Sequence, residues 1–306
     1  MKIINRDDAE YPAMLKNINN EPKTLYTLGD LSILNQPAVA VVGSRNMSEY
    51  GKKVTKQIVK DLTKAGICIV SGMATGIDTV AHTTCLENGG KTIAVLGSGL
   101  NKIFPPENTE LFNRIVENGG LVISEYPENQ IAQKQFFAIR NRIISGLSLA
   151  TLVIEATYRS GTSITAQFTL KQGRKLLCIP NSIGNKNSAG IINWLKKGAK
   201  IVTNADEILQ EIGLKSGSID LEKINATKKQ QKIEEFEQKE LKQEQEIAKK
   251  IYYQIKENGE TSAEFLCNYL KVSIQEINAF LSSLEIKGLV ENTHGTYYKV
   301  SDNLYV

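Results

Sequence analysis

The sequence contains few of the residues that build metal centres or disulfide frameworks. Its 306 residues include two histidines and four cysteines. The cysteines are widely spaced and form no CxxC pair; they are Cys68, Cys85, Cys178 and Cys267. This spacing predicts buried free thiols in a reducing cytoplasm. The histidines are also far apart, so the spacing of both residue types argues against a zinc site or any other metal site.

Long apolar runs are also missing. None approaches the roughly 18 to 20 residues that a helix needs to cross a bilayer. The N-terminal residues 1–15 lack the basic start, apolar stretch and small-residue cleavage site of a secretory signal. We therefore expect a cytoplasmic protein that does not enter the membrane.

The net charge is small. The 37 Lys and Arg residues oppose 33 Asp and Glu residues, which leaves a formal charge of +4. This bias is too weak to indicate a nucleic-acid-binding protein by composition, and it does not exclude one. Any anion-binding site must therefore depend on cations that are placed locally. At about 150 residues per domain, the length predicts two domains.

Six short apolar runs alternate with helical patterns within residues 37–212. The runs cover residues 38–43, 67–72, 91–97, 121–125, 149–156 and 175–180. They are rich in Val, Ile and Leu and lack polar alternation, which is typical of parallel strands buried on both faces. In residues 48–66 the apolar residues form one helical stripe, which Ser48 can cap and Gly66 can end. Repeated strand–helix units predict an α/β fold with a doubly wound, mostly parallel sheet.

The composition changes after residue 212. Residues 213–245 are dominated by Lys, Glu and Gln and predict a charged linker. We therefore divide the chain into a first domain of residues 1–212, this linker, and a second domain of residues 246–306. Residues 1–36 are expected to be an N-terminal extension that packs on the first domain.

Residues 246–306 predict three short helices followed by two strands around a His-Gly turn, which is the pattern of a winged-helix-like domain. Ser262 can cap the second helix. The third helix, where base-contacting side chains would lie, offers Gln275, Glu276 and Asn278 but no arginine. Because the acidic side chain would repel phosphate, a protein-interaction or structural role is favoured over sequence-specific DNA binding.

Small and polar residues follow the predicted strands at their carboxyl ends, where doubly wound sheets bind ligands. Gly43-Ser44-Arg45 lies between the first run and a helix, so backbone amides and a forked cation there suit a phosphate. The spacing is not GxGxxG, and no acid ends the second run, which disfavours dinucleotide binding. Two further loops, 71–78 and 97–99, bring glycines and hydroxyls to the same edge. Asp78 fits either this site or an ordinary first helical turn.

Residues 136–146 contain paired phenylalanines followed by Arg140-Asn141-Arg142. Aromatic surfaces and fixed cations together suit a single-stranded nucleic acid, whose bases stack and whose phosphates need neutralising. Alternatively, the phenylalanines belong to the core and an arginine pairs with an acid, for which Glu155 is the obvious candidate. The loop 159–163 adds a cation and small residues at another predicted helix start.

A series of motifs runs in order through about residues 5–212. The motifs are VVGSR, SGMATGID, GSGLNKIFPPEN, GGLVISEYP, FFAIRNRIISGLS, VIEATYRSGTSITA, QGRKLLCIP and GAKIV. This series resembles the DNA-processing protein A family, which is also called DprA or Smf. The winged-helix-like tail agrees with the C-terminal module of that family.

The resemblance implies a Rossmann-like domain that binds and protects single-stranded DNA and loads RecA recombinase onto it during natural transformation. It implies a homodimer, contact with single-strand-binding protein, no catalysis and no cofactor. Arg45 would be a phosphate-binding arginine, and the segment Arg140–Arg142 would line the same pocket. The candidate DNA-binding residues are then Gly43, Ser44, Arg45, Ser71, Gly72, Ala74, Gly76, Asp78, Gly97, Gly99, Phe137, Arg140, Asn141, Arg142, Ser160 and Gly161.

The chain departs from the family pattern at two places. Many members begin with an additional small helical domain, for which the residues ahead of Val39 are too few. Relatives often carry a basic residue after the aromatic-proline pair, whereas this sequence has Pro106 and so lacks the cation expected there.

Two other functions compete with DNA binding. The fold class also resembles nucleotide-cleaving hydrolases of the lysine-decarboxylase-like type, which pair an arginine with a glutamate beyond a glycine-rich loop. Arg140 and the loop 159–167 fall in comparable places, but Ala166 or Gln167 occupies the position of the acid. Because Glu155 precedes the loop, acid–base chemistry lacks its carboxylate. The remaining possibility is a DNA-associated scaffold whose tail docks a partner.

Overall fold

Buried apolar runs determine the layout of a central sheet. The computed structural model describes residues 1–214, 246–286, 288–293, 295 and 297–301. Residues 1–214 contain nine strands of one sheet: β1 (Lys2–Asn5), β2 (Thr24–Gly29), β3 (Ala38–Val42), β4 (Cys68–Ser71), β5 (Thr92–Leu96), β6 (Leu121–Ser124), β7 (Ala150–Val153), β8 (Lys175–Cys178) and β9 (Lys200–Ile201). All six predicted runs form strands, and these strands are parallel to one another.

The strand order reverses at the centre of the sheet. The order is β1-β2-β6-β5-β4-β3-β7-β8-β9. From β3 the chain proceeds outward through β4, β5 and β6, and it returns to the other side of β3 as β7. The carboxyl ends of β3 and β7 therefore flank the switch point, where doubly wound sheets bind ligands. The predicted α/β fold with a doubly wound, mostly parallel sheet is confirmed.

Helices connect the strands and cover the sheet. In residues 1–214 they are α1 (Ala13–Lys16), α2 (Glu49–Lys64), α3 (Ile77–Glu87), α4 (Thr109–Glu117), α5 (Lys134–Gly146), α6 (Gly161–Lys171), α7 (Ala189–Lys196) and α8 (Ala205–Glu211). The Gly51 amide donates a hydrogen bond to Ser48 Oγ at 3.1 Å, so Ser48 caps α2 as predicted.

Both faces of the sheet are buried. On one face, Val39 of β3 belongs to a cluster that includes Leu62 of α2. On the other face, Ala40 belongs to a cluster that includes Ile143 of α5 and Trp194 of α7. Successive residues of one strand thus enter opposite cores, which explains why the run has no polar positions.

Residues 1–36 extend the sheet beyond β6. Strand β2 is antiparallel to β6, with Tyr26 opposite Ser124, and β1 pairs with β2. These strands were not predicted, because their runs are short and mix polar with apolar residues. Arg174 ties the segment to the domain by donating to the Met14 carbonyl at 3.0 Å and to two carbonyls around the end of α5.

The C-terminal unit has the predicted winged-helix-like architecture. Its elements are α9 (246–258), β10 (Glu260–Ser262), α10 (Ala263–Leu270), α11 (Ile274–Ile286), β11 (Val290–Asn292) and β12 (Tyr297–Val300). Ser262 caps α10, as predicted, by accepting a hydrogen bond from the Phe265 amide at 3.2 Å. Strand β10, which was not predicted, pairs with β12 in an antiparallel sheet of order β10-β12-β11. Residue 294 of the predicted His-Gly turn lies outside the described residues.

Two units are distinguished by their internal packing, one within residues 1–219 and one within residues 220–306. The predicted linker of residues 213–245 lies outside the described residues from residue 215 onward, and the proposed domain boundaries stay predictions. In the part of the chain that the structure describes, no helix combines the length and apolar character needed to span a membrane.

Gly29, at the end of β2, provides a test of how closely the antiparallel strand β2 packs against its neighbour. Its φ is +113°, and a Cβ there would lie 2.1 Å from the Gly120 carbonyl oxygen. We expect Gly29→Ala to lower the free energy of unfolding by at least about 2 kcal/mol, because the backbone is strained and the neighbouring strand must move.

Gly173→Ala is the matched control, since Gly173 has a φ of +68° but no atom within 4 Å of the position of its Cβ. It is expected to cost about 1 kcal/mol. Urea unfolding of both variants measures the difference, and equal losses would contradict the tight contact at Gly29.

Candidate nucleic-acid interface

The carboxyl ends of β3, β4 and β5 lie side by side because these strands are parallel neighbours. Residues 43–48 follow β3, residues 72–76 follow β4 and residues 97–105 follow β5. We define the rim as these three loops together with the start of α6. The structure thus brings together the three small-residue loops that the sequence analysis assigned to one edge.

The loops after β3 and β4 pack closely against each other at their glycines. The Ile77 amide donates to the Ser44 carbonyl at 3.2 Å. Gly76 has a φ of +81°, and a Cβ there would lie 2.3 Å from that same carbonyl oxygen. At Gly43 a Cβ would lie 2.6 Å from the Ile77 side chain. These two glycines are therefore required by the packing of the rim itself.

Besides Lys102 in the loop after β5, the rim has an exposed cation in Arg45. Its guanidinium lies over the Phe137 ring, 5.8 Å from the ring centroid, within the range of a cation–π contact. In the described part of the chain, no carboxylate forms an ion pair with Arg45. Its charge is therefore available to an anion from solution.

The ring beneath Arg45 packs in turn against a second aromatic ring. Phe137 lies 5.3 Å from Phe104, centroid to centroid, and Phe104 is 43% exposed. A Cβ on Gly97 would lie 2.7 Å from the Phe137 ring, so the glycine lets this ring approach the end of β5. Phe136 instead stacks on Tyr126 at 4.1 Å. Phe136 and Phe137 are both half-buried, so neither belongs fully to the core or fully to the surface.

Arg140 does not face the solvent, in contrast to its assignment as a DNA contact. It is 3% exposed, and one guanidinium nitrogen donates to the Gly72 carbonyl at 2.6 Å and to the Val95 carbonyl. Burial lowers the pKa of Arg140 to about 10, which leaves the group charged at neutral pH. The side chain therefore holds the ends of β4 and β5 together from beneath the rim.

Asp78 lies in the same buried layer. Its Oδ2 accepts from the Gly72 amide at 3.2 Å and from the Ala74 amide at 3.3 Å. Burial raises the pKa of Asp78 to about 6, although Arg140 and these amides act in the opposite direction. Asp78 is thus more than a first-turn acid, because it determines the path of the loop after β4. Ser71 is also internal, since its hydroxyl donates to the Val41 carbonyl at 2.7 Å.

Arg142, like Arg140, is buried and is 6% exposed. Its two terminal nitrogens donate to the Glu125 carboxylate at 2.5 and 2.8 Å, and its Nε donates to the Asn20 carbonyl at 2.7 Å. Glu125 was not among the predicted residues, although its place directly after β6 was a usable signal. Arg142 therefore connects α5 to the N-terminal segment, and the described conformation does not present it to a ligand.

Glu155 does not pair with either arginine, and that expectation is wrong. Its carboxylate is fully buried and accepts from the Ser48 amide at 2.9 Å, from the Ser48 hydroxyl and from Asn187 Nδ2 at 3.3 Å. A carboxylate is favourable at this position because it lies at the N-terminus of α2 and accepts the Ser48 amide.

The start of α6 completes the rim. Ser160 Oγ accepts from the Ser163 amide at 3.3 Å and caps the helix. The Thr162 hydroxyl donates to the Gly43 carbonyl at 2.9 Å, and Asn141 donates to the Gly161 carbonyl at 3.2 Å. A Cβ on Gly161 would meet no atom within 4 Å, so this backbone is open to an approaching ligand.

The rim combines an exposed guanidinium, an aromatic surface and open backbone at a helix start. This arrangement can hold a phosphate and support an unstacked base. Among the described residues, no group of three or more His, Cys, Asp and Glu side chains is placed to hold a metal ion.

Sequence comparison places the chain beside known DNA-processing proteins. A family model described as DNA recombination-mediator protein A matches residues 2–213. The chain is 43% identical over 201 residues to DNA processing protein DprA of Streptococcus pneumoniae, which covers 66% of this chain and 71% of that protein. It is 41% identical over 211 residues to Protein Smf of Synechocystis, which covers 68% of this chain but 53% of that protein. The chain thus spans about half the length of the Synechocystis relative.

Solved structures agree with this similarity. DNA processing protein A from Streptococcus pneumoniae has a TM-score of 0.66 at 41% identity, covering 69% of this chain and 74% of that chain. DNA processing protein A from Helicobacter pylori, described with a unique single-stranded DNA binding mode, has a TM-score of 0.62 at 29% identity, covering 69% and 95%. These matches confirm the expected Rossmann-like fold.

The Arg142–Glu125 pair leads to a prediction about stability. Arg142→Ala should lower the free energy of unfolding by about 3 kcal/mol, because it removes a side chain that is only 7% exposed and leaves the Glu125 carboxylate and the Asn20 carbonyl without their donor. Arg6→Ala is the matched control, since Arg6 forms a more exposed pair with Glu21 at 2.9 Å and should cost less than about 1 kcal/mol. Chemical unfolding measures both; an Arg142→Ala loss as small as that of the control would refute the structural role.

The raised pKa of Asp78 leads to a pH-dependent prediction. Because the folded protein holds this proton more tightly than the unfolded chain, the contribution of Asp78 to stability is lost as the pH rises from about 4 to about 6. Relative to Asp78→Asn, which does not titrate, the loss should be about 2 kcal/mol. Urea unfolding of both proteins across this range measures it. A difference that is constant with pH would contradict the buried, protonated state.

Proposed function

The chain belongs to the DNA recombination-mediator protein A family, and from this membership we propose that its rim binds single-stranded DNA for recombination. The observation that carries the proposal is the exposed Arg45 guanidinium lying on the Phe137 ring. One group neutralises a phosphate, and the other supports a base. Backbone amides at the start of α6 supply further donors to the phosphate.

Single-stranded DNA suits this site better than a duplex does. A base must be unstacked to lie on an aromatic ring, and such stacking contributes about 1–3 kcal/mol per base. The similarity to the Helicobacter pylori protein, whose description names single-stranded DNA binding, supports the same ligand. Within this proposal, Gly43, Ser44, Arg45, Phe137, Ser160 and Gly161 face the DNA. The loops 72–78 and 97–99 and the segment 140–142 hold these groups in place.

The proposal includes no catalysis at the rim. Glu155, the acid nearest to the loop that resembles a nucleotide-cleaving site, is fully buried beneath Ser48 and accepts hydrogen bonds from it. Ala166 is buried as well. A carboxylate held in this way does not reach a sugar from its place below the loop, which supports binding rather than hydrolysis.

The proposed partners follow from family membership. They are RecA recombinase, which would be loaded onto the bound strand, single-strand-binding protein and a second copy of the chain. The C-terminal unit is proposed to contact protein rather than to recognise a DNA sequence, because its third helix carries Glu276 and no arginine. The proposed location is the cytoplasm, which suits four cysteines that form no disulfide.

Replacing Arg45 tests the proposal. Arg45→Ala should weaken binding of a fluorescent oligothymidylate about 10- to 100-fold and reduce the salt dependence by about 0.7 in log–log slope, the share of one phosphate on a single strand. Arg45→Lys should keep the salt slope and lose affinity, because a point charge replaces the planar fork. Anisotropy titration at several salt concentrations measures both quantities.

Arg114→Ala is the matched control for this titration. Arg114 lies in the last turn of α4, and helices that follow parallel strands end near the amino edge of the sheet, away from the rim. Its replacement should change affinity less than about twofold. The proposal fails if a folded Arg45→Ala protein binds the oligonucleotide as well as Arg114→Ala does.

A further inference from the structure

We propose that the single-stranded DNA track continues from Arg45 across the switch point onto a second aromatic and cationic surface beside β7 and β8. We call this surface the distal patch, and it consists of Tyr50, Tyr158, Arg159 and Lys186. The inference rests on the proposed function and extends it, because it adds contacts outside the rim.

The distal patch exposes rings and cations together. Tyr158 is 61% exposed and Tyr50 is 45% exposed. Arg159 and Lys186 are also exposed, and within the described ranges neither forms an ion pair. Exposed aromatic rings beside cations that lack acidic partners are the features that single-stranded nucleic acids use for stacking and neutralisation.

Hydrogen bonds fix the segments of the patch to one another. The Tyr50 hydroxyl donates to the Pro180 carbonyl at 2.8 Å, which joins the start of α2 to the end of β8. The Ala156 amide donates to the Asn187 carbonyl at 2.8 Å. Asn187 Nδ2 in turn donates to the Asn46 carbonyl at 3.1 Å. The four side chains therefore project from a rigid base.

The patch is continuous with the rim. Arg159 directly precedes the capped start of α6, which the Thr162 hydroxyl joins to the Gly43 carbonyl. Arg45 and Arg159 thus follow β3 and β7, the two strands that flank the switch point. The acid between them, Glu155, is covered by hydrogen-bond donors and does not reach the surface. A strand leaving Arg45 in this direction meets the cations Arg159 and Lys186 and one exposed acid, Glu49, which precedes Tyr50 in the first turn of α2.

The opposite direction is less suited to a strand that both stacks and is neutralised. Beyond the Tyr126–Phe136 stack, a cavity of about 710 Å³ opens at the edge of the sheet. Its lining includes Glu128, Ile131 and Gln133 but no cation. Lys134, which follows Gln133 at the start of α5, is exposed, but the lining itself offers no exposed aromatic ring beside a cation. The distal patch, with two exposed rings and two cations, therefore suits stacking and neutralisation together better than the cavity does.

Oligonucleotide length separates the two contact regions. The experiment titrates the full chain with fluorescent oligothymidylates of about five and about twenty nucleotides at several salt concentrations. The test variant is the double substitution Tyr158→Ala with Arg159→Ala, and both side chains are exposed, so the fold is expected to survive. Ile131→Ala with Gln133→Ala is the matched control at the other end. Circular dichroism and the unfolding midpoint verify that each variant is folded.

We expect the Tyr158/Arg159 variant to bind the long oligonucleotide about 10- to 100-fold more weakly, with a salt slope reduced by about 0.7. The short oligonucleotide should change less than about twofold, because the rim still holds it. The control variant should bind both lengths as the wild type does.

Wild-type affinity of the Tyr158/Arg159 variant for the long oligonucleotide, with Arg45→Ala still impaired, would overturn the distal patch and leave the proposed function intact. An equal loss at both lengths would also overturn it, since the patch would then belong to the primary contact. If Arg45→Ala binds both lengths normally, the proposed function itself fails.

Discussion

The buried guanidinium of Arg140 is the constraint on which the rim depends. It donates to the carbonyls of Gly72 and Val95, and its Nε donates to Asn141 Oδ1 at 3.2 Å. Asn141 then donates to the Gly161 carbonyl at the start of α6. One segment of α5 therefore positions the ends of β4 and β5 and the start of the helix that follows β7. Without this charged, hydrogen-bonded side chain, no single group would fix the positions of these loops relative to one another.

Four arginines at or near the rim divide into two kinds by their surroundings. Arg140 and Arg142 are buried and donate hydrogen bonds to protein oxygens, which makes them positioning residues. Arg45 and Arg159 are exposed, and their charge faces the solvent. A formal charge of +4 conceals this division, because the proposed binding depends on a few exposed cations at strand ends rather than on the total.

Local patterns predicted the elements of the fold. The Val- and Ile-rich runs identified six parallel strands, and Ser48 and Ser262 identified two helix starts, because caps and burial leave signals within a few residues. The antiparallel strands β1 and β2 left no such signal. In the site, Arg45 could be predicted from its place after β3, whereas the burial of Arg140 and the pairing of Arg142 with Glu125 depend on distant segments. Periodicity does not report such contacts.

Photo-cross-linking tests the central claim most directly. An oligonucleotide carrying 5-iodouracil forms covalent bonds with aromatic side chains that stack on it, and mass spectrometry then locates the cross-linked peptide. The account predicts cross-links to Phe137 or Phe104 at the rim, and their loss in Arg45→Ala. Cross-links confined to the aromatic residues of the C-terminal unit, such as Phe265 and Tyr269, would contradict it.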